Sequence, residues 1–378
     1  MTQPSNGEPN RNQTSEVYVN GIGANASSQE LSEVIKKVFL KASDNLSWLS
    51  PGDTVLLKPA LNSPYPYPAT THPQSLLAVA ELLEEKKAKV IVGDQSGVEH
   101  VLHDESGIIK GSSKKNFELS AGGCVSQLRF TGFEEGGWQE GFYQHKCHKT
   151  PSWREGFYLT ELVQRADHII NLPRLSTHAI TGVTLGFKNM VGFLRDDSRL
   201  EFHANGPYNA MIKFFARKGN LASIDDESET FFEKMIEISL VLQKKLRVTL
   251  FTATKAQATL GPDKYLLPIG NGGLGFAYEV SPDPGLVFAS SDPVASEVVA
   301  LAYLTHLYAG VPMGRKLLHK IVLFFNGQIR ELGKQKVWDN PFVRCARDVG
   351  LGNGEIRPHY EQTPSDLQTQ LNQLINSG

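Results

Sequence analysis

Cysteine is scarce in this chain. The three present, Cys124, Cys147 and Cys345, lie far apart and none falls in a CxxC pair. That spacing speaks against an iron–sulfur cluster, a zinc ribbon or a disulfide framework, and it fits a reducing compartment. An excess of one charge is missing too: 38 Lys and Arg against 40 Asp and Glu leave a net charge of −2, with no basic block. A nucleic-acid partner therefore has no electrostatic support. No apolar run approaches the roughly 20 residues that span a bilayer, so no membrane partner is expected. The first residues, MTQPSNGEPNRNQTS, hold neither an apolar core nor a twin-arginine pair. They read as a disordered tail over 1–16 rather than a targeting signal. There is no P-loop, and the glycines at 270, 272, 273 and 275 do not form GxGxxG between a strand and a helix, so a dinucleotide fingerprint is unsupported. A cytoplasmic location is expected.

What is present is an alternation of short apolar runs and helical periods. Thr54–Lys58 reads as a buried strand, Pro73–Lys87 as a helix with Pro in its first turn, and Ala88–Asp94 as a second strand. Strand, helix and strand in about 40 residues make a βαβ unit and hence a parallel sheet. Further strands read at Glu16–Asn20, Ile169–Leu172, Val248–Thr252 and Leu286–Ser290. Further helices read at Leu31–Ala42, Tyr208–Lys218, Glu227–Leu246 and Ser291–Leu304, the last with Asp292 as N-cap before Pro293. The fold class is α/β: a mostly parallel central sheet with helices on both faces, in one domain over 17–360. Between 100 and 154 Gly, aromatic and polar residues mix without a helical period. This stretch reads as an insertion, hairpin-like, over one end of the sheet. His145, Cys147 and His148 in it have ligand chemistry, but close neighbours on a strand cannot all point one way, so they read as a surface cluster. From Glu361 the polar residues read as a loosely attached tail.

The stretch Ala166–Arg195, ADHIINLPRLSTHAITGVTLGFKNMVGFLR, is where function is expected. A strand ends at Pro173, and Leu175-Ser176-Thr177-His178 then lies where a crevice opens beyond the carboxyl end of a parallel strand. Val183, Phe187, Met190, Val191 and Leu194 recur at helical steps, while Thr181, Thr184, Lys188 and Arg195 share another face. Helix-start N–H groups, His178 and Lys188 would make a cradle for an anion or a metal ligand. The plainer alternative makes Thr177 an N-cap, Gly182 and Gly186 packing contacts, and Lys188 a solvated charge. A glycine-laced helix costs roughly 1 kcal/mol per glycine, and that cost favours the functional reading. Lys58, Asp94 and Asn171, at strand ends, would line the same crevice, or else Lys58 and Asp94 form a structural ion pair and Asn171 holds a turn. Asn62, Ser96, Asn189 and Arg199 complete the expected binding set, with Arg195 and Arg199 able to clamp a carboxylate or to depress the Lys188 pKa.

These motifs resemble the bacterial and archaeal domain-of-unknown-function 362 family. Its marks here are GDTVLLKPALN, THPQSLLAVAELLEEKKAKVIVGDQSG, DHIINLPRLSTHAITGVTLGFKNMVGFL, the downstream Arg199 and His203, and ASSDPVASE. The chain departs from the family pattern at Ala60, at Thr252-Ala253-Thr254 and at Glu297, and it lacks the ferredoxin-like cysteine motifs of many relatives. A more distant likeness is to the nickel-pincer lactate racemases: His178 and Lys188 are ten residues apart and His203 follows 25 after His178, as in their cofactor-anchoring segment. This resemblance implies His178, Lys188 and His203 as catalytic groups, His178 and His203 as metal ligands, and a divalent metal or bound cofactor. Two functions are carried forward. One is a metal- or cofactor-dependent enzyme acting on a small anionic substrate, with racemase- or isomerase-like chemistry. The other is a non-catalytic protein that binds a metal or a phosphorylated metabolite. A homo-oligomer is left open.

Overall fold

The computed structural model describes residues 14–122, 126–178, 181–202, 221, 228–261, 266–269, 272–275, 277–324 and 331–377. Eight strands build one sheet: β1 (Thr14–Ile22), β2 (Thr54–Pro59), β3 (Lys89–Asp94), β6 (Phe130–Gly132), β9 (His168–Leu172), β12 (Leu246–Ala253), β17 (Gly285–Ser290) and β18 (Glu355–Glu361). Their order across the sheet is β18-β1-β17-β12-β9-β2-β3-β6. Only β17 runs against both its neighbours; the other five pairings are parallel. The remaining strands make small sheets: β4 (Leu102–Asp104) with β5 (Gly107–Lys110), β7 (Phe142–His145) with β8 (Phe157–Thr160), and β14 (Leu266–Ile269) with β15 (Gly272–Gly275). The last small sheet runs β11-β10-β13-β16, from β10 (Ser176–His178), β11 (Gly182–Thr184), β13 (Ala256–Thr259) and β16 (Tyr278–Val280).

The central strands carry unbroken apolar runs because both their faces are covered. Successive side chains of a strand point to opposite faces, and the core divides accordingly. Val55, Leu57, Ile170, Val248 and Val287 pack with α1 (Ser28–Ala42) and α2 (Pro73–Glu85). Leu56, Ile169, Phe251 and Phe288 pack on the other side. That side is covered by α7 (Phe231–Leu242), α8 (Pro293–Ala309), α10 (Pro341–Asp348) and α11 (Ser365–Asn376). Smaller helices are α3 (Ser113–Ala121), α4 (Leu162–Arg165), α5 (Gly186–Asn189) and α6 (Asp196–Phe202), and α9 (Met313–Phe324) follows α8. Local signals fix the starts. Ser27 and Glu30 close a capping box at α1, and Asp292 accepts from Val294 N and Ala295 N ahead of Pro293 at α8.

The sequence reading is corrected in four places here. The segment 100–154 is not laid over the sheet alone: it contains the helix α3, and β6 is the sheet's edge strand, parallel to β3. A three-residue strand, Phe130-Thr131-Gly132, is too short to show a period. The C-terminal residues are docked, with β18 paired to β1 and Leu367, Leu371 and Ile375 of α11 buried. Three apolar residues at i, i+4 and i+8 are enough to seat one helical face in an otherwise polar segment. The helix expected over Glu227–Leu246 is shorter, Phe231–Leu242 after a 3-10 turn at Ser228–Thr230. The tail expected over 1–16 ends earlier, since Thr14, Ser15 and Glu16 belong to β1; residues 1–13 and the expected helix over 208–218 lie outside the described residues.

Candidate functional site

Lys58, Asp94 and Asn171 end β2, β3 and β9, neighbouring parallel strands, and Lys58 stands in register with Asn171. Lys58 Nζ lies 2.7 Å from Asp94 Oδ1, both side chains being buried. The ammonium also donates to Pro59 O at 2.8 Å, while the Asp94 carboxylate accepts from Leu61 N and Gln95 N, each at 2.8 Å. Asn189 ties two strands together: its Nδ2 donates to Asn171 Oδ1 at 2.8 Å and to Lys58 O at 3.2 Å. Asn171 in turn donates to Gly186 O at 3.1 Å. Gly192 lies directly on the ion pair; a Cβ there would be 2.5 Å from Lys58 Nζ and closer still to Asp94 Oδ1. The fork of Arg199 gathers three carbonyls, those of Ser96 (2.5 Å), Gln95 (2.7 Å) and Gly192 (3.0 Å).

Positive charge is concentrated here. Burial pushes Lys58 down to about 8 even though Asp94 pulls it up, with Arg199 and Arg174 adding to the depression. Lys188, on α5, falls further, to about 7, first through burial of its ammonium and then through Arg199, Arg174 and Lys58. The residue as a whole is half-exposed, so the low-dielectric surround belongs to its charged end. Arg174 is a buried cation that the sequence reading passed over, although it follows the strand-ending Pro173 directly.

Other expected residues serve different partners. Thr177 Oγ1 donates to Gln257 O and accepts from Gly261 N, Thr181 Oγ1 donates to Val183 O, and His178 Nδ1 accepts from Thr181 N at 3.3 Å. These bonds hold the small sheet of β10, β11 and β13. Thr184, buried in β11, belongs to the same hairpin. Arg195 is gripped by Asp197 through two bonds of 3.0 and 2.6 Å, and its guanidinium stacks 3.4 Å from the Tyr158 ring centre. Asn62 accepts from Gly97 N through its backbone carbonyl at 3.0 Å, beside Ser96. His203 lies outside the described residues. Among the described residues no three His, Cys, Asp or Glu side chains gather as a metal cage requires.

The continuous helix read from Thr181 to Arg195 is replaced by the β10–β11 hairpin, the single turn α5, a 3-10 turn at Met190–Phe193, and α6. Gly182 sits at φ +78°, a conformation that interrupts a right-handed helix and suits a hairpin. Every residue of the apolar stripe is buried all the same. The expected cradle of helix-start N–H groups is also occupied. The Glu297 carboxylate of α8 accepts from Phe187 N at 3.2 Å and from Gly186 N, and burial pushes it up to about 8. A lone carboxylate inside the apolar run of α8 was the available signal for it. Sequence reading also missed Asp196, whose carboxylate takes His103 Nδ1 at 2.7 Å and Gln95 Nε2 at 3.0 Å.

Comparison with known proteins follows from these motifs. A thylakoid-associated protein of Synechocystis sp. is 28% identical over 160 residues, 42% of this chain and 44% of the relative. The chain therefore aligns with under half the length of that curated relative. No solved structure matches. The model of the family described as a domain of unknown function (DUF362) matches residues 55–302, well over half of the sequence and all of the strand ends described above, and the chain belongs to that family.

Proposed function

We propose that this protein is an enzyme that binds a small organic anion and moves a proton on it, in the manner of a racemase or isomerase. The observation that carries this reading is the gathering of Lys58, Arg174, Lys188 and Arg199 around strand ends, with the Lys188 amine brought to about 7. An anion among these groups relieves their mutual repulsion. A lysine poised near neutral pH can take a proton from a carbon next to a carboxylate, and racemisation is complete when a second acid gives a proton to the opposite face. The neighbouring guanidinium groups then stabilise the negative charge left on the substrate. Lys58, fixed by Asp94, and Arg199, fixed by three carbonyls, supply field rather than proton transfer. His178 and His203 are proposed as further acid/base or ligand groups, and no step is routed through a metal. We place this activity in the cytoplasm, which the sparse, unpaired spacing of the cysteines supports.

The test is proton exchange. Small 2-hydroxy and 2-amino acids are incubated with the protein in D2O and the Cα–H signal is followed by NMR. Loss of that signal for at least one acid, abolished by Lys188→Gln, is the expected result. Calorimetric binding of oxalate with no exchange of any acid would instead establish the non-catalytic binding protein, a reading favoured by how rigidly Lys58 and Arg199 are held. Neither exchange nor binding would end both.

A further inference from the structure

The helix α9, MGRKLLHKIVLF, turns its large apolar side chains outward. Met313 is 71% exposed, Leu317 59%, Ile321 49% and Phe324 83%. At 100° per residue these four lie within an arc of about 80°. The opposite side fastens the helix to the body of the protein: His319 is buried and accepts from Leu260 N at 3.3 Å, and Leu323 is buried. The outward stripe is therefore a fixed feature of the surface. Exposed apolar residues on a soluble surface are ordinarily scattered singly; four large ones aligned along one helix face are not.

The charge on the helix itself is of one sign. Within α9 there are three basic residues, Arg315, Lys316 and Lys320, and no acidic one. Lys316 and Lys320 fall on the flank of the apolar arc. Glu331 lies between two of the ammonium groups, 3.3 Å from Lys320 and 3.2 Å from Lys334, so one carboxylate is set against two lysines and Lys316 adds a third. Size separates the candidate occupants. Twelve residues make a helix about 18 Å long and about 10 Å wide, so the face offers about 200 Å². A stable protein interface needs about 800 Å² per partner. A bilayer needs only that the side chains enter the headgroup boundary while basic residues meet anionic lipid.

We propose that α9 is an interfacial anchor that lays this protein on an anionic lipid surface. No helix among the described residues is long and apolar enough to cross a membrane, and none is required: a helix that lies on the bilayer is a different device from one that spans it. The sequence expectation of no membrane partner rests on the lack of a spanning segment, and this proposal departs from it. The anchor is independent of the chemistry at the strand ends.

Co-sedimentation of the full chain with vesicles tests it. Vesicles of phosphatidylcholine with one-third phosphatidylglycerol are compared with pure phosphatidylcholine, at low and high salt. The expected result is about a hundredfold stronger partition onto the anionic vesicles, falling as salt screens the basic margin. The double variant Met313→Glu, Leu317→Glu should lose partition while its circular dichroism and Tm stay those of the parent, because both side chains are largely exposed. No partition of the parent, or equal partition of the variant, overturns the proposal. A dimer in sedimentation velocity that the variant makes monomeric would also overturn it, assigning the face to a second copy of the chain.

Discussion

At position 192 a methyl group would have nowhere to go, since the ion pair of Lys58 and Asp94 already fills that space. Replacing Gly by Ala at a compatible site stabilises a protein by about 0.4–1 kcal/mol through the unfolded chain. Here the opposing effect is larger, because separating a buried pair costs about 3–5 kcal/mol. Gly192→Ala is therefore expected to be destabilising by on the order of 3 kcal/mol, read as a lower denaturation midpoint at unchanged m-value. Glu297 calls for the opposite kind of change. Its carboxyl is held at about 8 rather than 4.5, so the folded protein binds the extra proton between those values. Its contribution is fully present below 4.5 and is lost as pH rises through 8. Glu297→Gln keeps an acceptor for the α5 amides without the charge, and should raise Tm at pH 8 relative to the parent while leaving it little changed at pH 5. Equal shifts at both pH values would show that the carboxyl does not titrate in this window. The residues legible in sequence, Lys58, Asp94 and Asn171, owe that to their place at the ends of recognisable strands. Glu297 and Arg174 are placed by packing between distant segments, which spacing along the chain does not report.

Among the elements, the apolar strands of the large sheet and the helices α1, α2 and α8 were readable, while the short strands and the helices α9, α10 and α11 were not. A six-residue apolar run such as Thr54–Pro59 has few alternatives once Pro and Gly bound it. The segment from Ser176 to Phe193 offered a 3.6-residue period but holds a hairpin and then only single helical turns. Val183, Phe187, Met190 and Val191 are all buried, and a hairpin followed by single turns can match a helical template by coincidence. The C-terminal helix shows the converse, a real element hidden by polar composition. Leu371 of α11 is fully buried, and α11 packs on α8 across from the strand ends. Leu371→Ala should cost about 2–5 kcal/mol in urea denaturation, as for other buried leucines. A cost below about 0.5 kcal/mol, the range of surface substitutions, would show α11 to be dispensable.

For the whole molecule, the parallel sheet makes the electrostatics possible. Adjacent parallel strands bring several carboxyl ends to one edge, and loops from β2, β3 and β9 then deliver their charged residues to one place. Concentrating cations there opposes folding, and a bound anion offsets that opposition by stabilising the native state alone. The coupling should be visible as a pH-dependent thermal shift. Sulfate keeps its charge between pH 6 and pH 9, whereas Lys188 gives up its proton near 7 and Lys58 near 8. Sulfate at constant ionic strength should thus raise Tm most at pH 6 and progressively less as pH climbs through these two values. Lys188→Gln should remove the part of this dependence centred on 7 and keep the part centred on 8. A sulfate shift of the same size at both ends of the range would mean that the anion is met by groups other than these lysines, and that the four cations hold the loops together rather than a ligand.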